Sequence, residues 1–274
     1  MPLVFTSLFA GGSGSLAPGA PDPDVGFAWS ANLLYHFRAT TGVFSDAAGS
    51  TPAGDGDPVA RWANQGAGED AQQATEARRP VMRTGGVNGR PYLACDQSQQ
   101  QYFGDLAFSQ PYGLTNINPF TVFAVTDAIA PANYPALLGA EAALGGKVGF
   151  YFRPNAGEQV HFVKSQVRVG TIANPQILMA TIGRNAAGTT STAVARLWVR
   201  QNGTDIFSAS QQASNLDSNA IAATQFLRSS GIADPAGYFH GHLYEMLLYD
   251  GTLDNATTFA IESFLANKYA IVLS

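Results

Sequence analysis

The stretch YFHGHLYEMLLYD, residues 238–250, decides how the rest of the chain is read. Read as a strand, its side chains alternate between two faces. His240, His242, Tyr244, Met246 and Leu248 then share one face. Phe239, Leu243, Glu245, Leu247 and Tyr249 take the other. From 243 to 249 both faces carry large apolar residues, which predicts a strand buried on both sides, under a sandwich core on one and a helix on the other. A buried Glu245 then requires a hydrogen-bonded partner. Two histidines at i and i+2 can begin a zinc site, but such a site needs at least a third protein ligand. Glu245 faces away from that pair, and His36 or His161 would have to arrive from other strands. The reading is a fold element rather than a metal centre.

Downstream, LDNATTFAIESFLANKYAI predicts an amphipathic helix. Asp254 is its N-cap, and Ile261, Phe264, Leu265 and Tyr269 fall on one face. Upstream the chain reads as short strands broken by turns. Alternating residues flank Asn202-Gly203, a pair suited to a type I′ hairpin, and Asn88-Gly89 marks a second tight turn. NPFTVFAVTDA (118–128) and QILMATIGR (176–184) are strong strands. The predicted fold is all-β: a two-sheet antiparallel jelly-roll sandwich with a C-terminal amphipathic helix and an extended N-terminal arm. Residues 25–274 form the sandwich domain. Residues 1–24 are the arm and its linker, because GGSGSLAPGAPDPD (11–24) cannot build a core. Before the linker, Leu3, Val4, Phe5, Leu8 and Phe9 make a β-capable segment that must dock on its own domain or on a neighbour.

Composition removes several function classes. A net charge of −5 offers no attraction to nucleic acid or anionic lipid. No apolar run is long enough to insert in a membrane. MPLVFTSLFAGGSGS lacks a basic n-region and is not read as a signal peptide. Cys95 is the one cysteine, so an intramolecular disulfide is excluded and a buried, inert thiol is expected. Charged residues make up only 13% of the chain, about half the usual share, which fits an extracellular or virion-surface protein.

The order of segments carries a resemblance. FRATTGVFSD, DGDPVARWANQG, GVNGRPYLACD, NPFTVFAVTD, ARLWVRQNGTD and the final GHLYEMLLYD with its capped helix follow one another over residues 29–272. This arrangement resembles the concanavalin A-like, laminin-G-like jelly-roll domains of bacteriophage structural proteins and bacterial glycan-binding proteins. The resemblance implies a β-sandwich used for binding glycans or partner proteins. CDQSQQQYF stands where similar domains carry an aromatic-Asp-Gly turn, so no contact made by that turn is carried over.

No catalytic motif is found. Glycosidases of this fold place carboxylates at i, i+2 and i+4 of one strand, and the chain has no such run. A G-x-S-x-G elbow and a phosphate loop are likewise missing. Asp46, Asp55 and Asp57 share one loop and are the only calcium candidates; no other cofactor is expected. Trp29, Trp62 and Trp198 are read as core, and Tyr112 and Tyr134 as exposed contacts for a glycan or partner. The expectation is a non-enzymatic virion protein: a bacteriophage capsid decoration, head-fibre or tail-appendage protein. It would be a homo-oligomer in contact with capsid or tail proteins and with cell-surface glycan. The alternatives are an exported, extracellular carbohydrate-binding module and a glycoside hydrolase or lyase.

Overall fold

A computed structural model of the chain describes residues 32–106, 120–128, 137–142, 150–152, 161–162, 174–182, 194–212, 221–228 and 237–274. In chain order the strands are β1 (Leu33–Arg38), β2 (Val43–Phe44), β3 (Arg61–Trp62), β4 (Ala71–Gln72), β5 (Val81–Arg83), β6 (Tyr92–Cys95), β7 (Asp105–Leu106) and β8 (Phe120–Ala128). There follow β9 (Leu138–Ala142), β10 (Phe150–Phe152), β11 (His161–Phe162), β12 (Gln176–Ile182), β13 (Val194–Gln201), β14 (Thr204–Gln212), β15 (Ile221–Phe226), β16 (Gly241–Asp250) and the helix α1 (Asn255–Tyr269).

β8 shows why the fold has three layers. Phe120, Val122 and Ala124 enter one apolar core, while Phe123 and Val125 enter another. A strand apolar on both faces must be covered twice. One cover is α1, whose Ile261, Leu265, Ala266 and Tyr269 meet Phe123, Val125, Leu247 and Tyr249. The other is a second layer, whose Leu138, Phe226 and Trp62 meet Val122, Ala124, Met246 and Leu248. Each Val, Leu, Ile, Phe or Met among these, fully buried, contributes about 1.5–3 kcal/mol of transfer free energy. The predicted all-β sandwich with a C-terminal helix is what the chain forms.

The central eight-stranded sheet runs β14-β13-β12-β8-β16-β6-β5. β1 also pairs with β16, beside its second half, while β6 takes its first three residues. The second layer holds a five-stranded sheet, β11-β10-β9-β15-β7, and the small sheet β2-β3-β4. β2 is only two residues long, and so short a strand leaves no periodic signal in the sequence.

Local signals are obeyed at the punctuation points. Asn202 and Gly203 have φ of 45° and 82°, as a type I′ turn requires, and join β13 to β14. Asp254 caps α1 by accepting a hydrogen bond from Thr257 N at 2.6 Å. The Val87–Gly89 turn joins β5 to β6, and with Arg90 it closes over the end of α1. Asn88 Nδ2 and Arg90 Nε both donate to the Lys268 carbonyl, at 3.0 and 3.2 Å. Among the described residues no helix is long and apolar enough to cross a membrane.

β16 departs from simple alternation at one point. Its register against β8 shifts between Leu243 and Glu245. Leu243 therefore enters the inter-sheet core, while Tyr244 and Glu245 both face α1. Beyond the bulge the predicted faces hold: Met246 and Leu248 inward, Leu247 and Tyr249 under the helix. Upstream, Phe239 and Leu243 point into the core, and His242 lies with Tyr92 and Tyr244 on the outer face. The bulge slips the two halves by one residue, and a slip of one exchanges every face.

Candidate functional site

Two groups of polar side chains stand out, and burial separates their roles. The first is closed. Glu245 is fully buried and receives three partners. His36 Nε2 lies 2.6 Å from Oε1, while Tyr269 OH at 2.8 Å and Lys268 Nζ at 2.7 Å share Oε2. Burial, the largest influence, pushes the Glu245 pKa up, but the His36 hydrogen bond and the Lys268 charge outweigh it and hold it at about 2. The predicted need for a partner is met three times over. His36 is 2% and Lys268 3% exposed, so no substrate reaches this cluster. It ties β1, β16 and α1 together.

The second group is open. Beyond the turn that closes on Lys268, the outer face of the central sheet carries Tyr92, His242, Asp127, His240 and Asp96. The Tyr92 ring packs on His242 at 4.3 Å and on Tyr244 at 5.4 Å between centroids. His242 and Asp127 sit directly opposite each other on β16 and β8, with Nδ1 3.4 Å from Oδ2. His240 Nδ1 accepts a hydrogen bond from Gln97 N at 3.2 Å and lies 3.8 Å from Asp96 Oδ1. About a quarter of each histidine side chain is exposed.

Chemistry follows from the ring nitrogens. A His240 that accepts at Nδ1 carries its proton on Nε2 when neutral, and so offers a donor. An Asp127 carboxylate only accepts, so the neutral His242 tautomer that suits it carries its proton on Nδ1 and leaves Nε2 as an acceptor. Side by side, these groups present a donor, an acceptor, two carboxylates and an aromatic ring. That set suits a ligand whose hydroxyls both donate and accept.

Of the residues singled out from the sequence, Tyr112, Tyr134, Leu3, Val4, Phe5, Leu8, Phe9 and Trp29 lie outside the described residues. Trp62 and Trp198 are core, at 0% and 8% exposed. The Trp62 indole donates to Arg38 O at 2.9 Å, and Trp198 donates to Asp205 Oδ1 at 3.0 Å. The three loop aspartates do not converge. Asp46 accepts from Ser50 N and Thr51 N, Asp55 from Thr84 N, and Asp57 from Gly54 N. Backbone hydrogen bonds, that from Ser50 foremost, pull the Asp46 carboxyl below its ordinary range. Among the described residues no group of three or more His, Cys, Asp or Glu is placed to hold a metal ion. Cys95 is 4% exposed, and burial pushes its thiol far up. Tyr92 and Asp127 were not singled out from the sequence. Tyr92 opens β6 and Asp127 stands one residue before the end of β8, positions whose neighbours only the strand pairing decides.

No family model matches the chain, and no curated protein matches it. Solved structures do. A Trypanosoma rangeli sialidase bound to 2,3-difluorosialic acid is 15% identical, with a TM-score of 0.48, over 89% of this chain and 34% of that one. Domain 4 of the GH43 extracellular arabinanase AbnA from Geobacillus stearothermophilus, in complex with arabinotriose, is 11% identical. Its TM-score is 0.43, over 84% of this chain and 98% of that domain. The CBM40 of a Ruminococcus gnavus sialidase, bound to α2,3 sialyllactose, is 11% identical, with a TM-score of 0.39, over 59% and 94%. The chain spans about a third of the length of the sialidases it matches. All three neighbours are carbohydrate-active by name, and at these TM-scores they assign no activity to this chain.

One expectation is corrected. The expectation of a non-enzyme does not stand beside the sialidases and the GH43 arabinanase among the solved structures that the chain matches. The lack of carboxylates at alternate positions of one strand excludes only a site built on a single strand. Pairing of β16 with β6 and β8 brings Asp96 beside His240 and Asp127 beside His242, from different segments.

Proposed function

We propose that the chain is a glycan-binding β-sandwich of the concanavalin A-like, laminin-G-like type, displayed on the surface of a particle such as a bacteriophage virion. The observation that carries the glycan reading is the open end of the central sheet. Sugars present apolar C–H faces and hydroxyls that donate and accept. Tyr92 supplies ring surface, His240 a donor, and His242, Asp96 and Asp127 acceptors, all partly exposed. Placement on a particle is supported by the low charge content and by the apolar segment on a Gly/Ser/Pro linker. Capsid or tail proteins are then the partners of the arm, and cell-surface glycan is the partner of the sandwich. An exported extracellular module uses the same site.

The test is a glycan array probed with the full chain. Binding to a defined glycan class is expected, and His242→Ala should weaken it roughly tenfold, the equivalent of about 1.4 kcal/mol, with an unchanged melting temperature. No binding across the array, or full binding by the His242→Ala and Tyr92→Ala variants, would sink the reading. Reducing-sugar release from the bound glycans reads in the same experiment whether they are also cleaved.

A further inference from the structure

Gly86 precedes the Val87–Gly89 turn and stands against the ring of Tyr92. Its φ of −73° is one that any residue adopts, so the backbone does not call for glycine here. The surroundings do. A Cβ built on Gly86 would stand 2.6 Å from Tyr92 Cδ1, 2.6 Å from Tyr244 Cε1 and 2.9 Å from Arg90 O. Carbon atoms in contact sit about 3.5–4.0 Å apart, so a methyl group has no room. Gly85 is the opposite case. Its φ of 74° is left-handed, and among the described residues nothing lies within 4 Å of its Cβ position. One glycine serves the turn, and the next serves the approach of two rings.

The two rings differ in freedom. Tyr244 is 1% exposed, packs on Tyr269 at 5.7 Å and accepts a hydrogen bond from Val87 N at 3.3 Å. The same turn is fastened to the Lys268 carbonyl by Asn88 and Arg90. Tyr92 is partly exposed and touches Tyr244 at 5.4 Å and His242 at 4.3 Å between centroids. Crowding at Gly86 therefore displaces Tyr92, the ring with somewhere to go.

We propose that Gly86 and Tyr244 are positioning residues that hold the Tyr92 ring against His242, so that the open sheet end meets its ligand already formed. The ligand, a glycan, rests on the function proposed above; the holding of Tyr92 rests on the contacts alone. A ring fixed beforehand gives up less side-chain freedom on binding, and that saving appears as affinity.

The test begins without ligand. An aromatic ring shifts the magnetic resonances of protons packed on it, and the chain has only four histidines to assign. Tyr92→Ala should shift the His242 ring signals, and Gly86→Ala should shift them in the same direction. Gly85→Ala strains the same turn but crowds nothing, so it should lower the melting temperature and leave those signals in place. Tyr244→Leu removes the ring behind Tyr92 and should shift them, whereas Tyr244→Phe should not. That pair decides the matter if crowding at Gly86 unfolds the chain. On the glycan array, Gly86→Ala should need a roughly tenfold higher concentration for half-saturation, as Tyr92→Ala does. Gly86→Ala/Tyr92→Ala should bind no more weakly than Tyr92→Ala alone, because the glycine acts through the ring. Unmoved His242 signals in Gly86→Ala or Tyr244→Leu, equal shifts in Gly85→Ala, or additive losses in the double variant would each overturn the proposal. A parent that binds no glycan while the His242 signals move as described would sink the glycan reading alone and support the positioning of Tyr92.

Discussion

Glu245 concentrates the chemistry that individual residues contribute to this fold. Removing one member of a buried ion pair leaves the other charge uncompensated, at a cost of about 3–5 kcal/mol. Glu245→Ala and Lys268→Met are each expected to lower unfolding free energy by about that amount in denaturant titrations. The Glu245→Leu/Lys268→Met double variant should lose less than the sum. The same carboxylate sets an acid limit. Its folded pKa of about 2 lies below the ordinary 4.5, so its stabilisation is complete above about pH 4.5 and is lost as pH falls toward 2. Glu245→Gln should flatten stability across that window, and an unchanged slope would show that Glu245 is not the titrating group. The sequence announced that Glu245 would be buried, from the apolar residues on either side of it. It did not announce His36, which stands 209 residues away.

Elements in this chain are held by short-range signals, and these were the most legible. The Asp254 cap and the Asn202-Gly203 turn each lie within a few residues of what they control. Asp254→Ala should cost about 1 kcal/mol, the usual loss of an N-cap, read from the thermal midpoint. Gly203→Ala should cost about 1–2 kcal/mol, because φ of +82° is strained for any residue with a Cβ and Leu273 stands 3.1 Å from where that Cβ would go. An unchanged midpoint in either variant would remove the assigned role. The elements that escaped the sequence are the two-residue strands β2, β4 and β7, too brief for a period, and the bulge in β16. The bulge is invisible because tyrosine and glutamate at 244 and 245 fit an alternating pattern equally well. Only the shifted pairing with β8 reveals that both face the helix.

At the scale of the whole molecule, Cys95 reports on opening of the sandwich. It lies in the core between the sheets, 4% exposed. Labelling by a thiol reagent should therefore track global unfolding as denaturant rises, and rapid native-state labelling would mean that the β5–β6 side opens separately. The sequence by itself determined the all-β class, the hairpin turn, the capped helix and the double burial of 243–249, because each is written in periods and turn residues within one segment. Only the tertiary structure decided which side chains meet. The partners of Glu245, and the gathering of Tyr92, His242, Asp127, His240 and Asp96 at one open sheet end, depend on strand order and register. Those are fixed by the summed packing of distant segments, and no local stretch of sequence carries that sum.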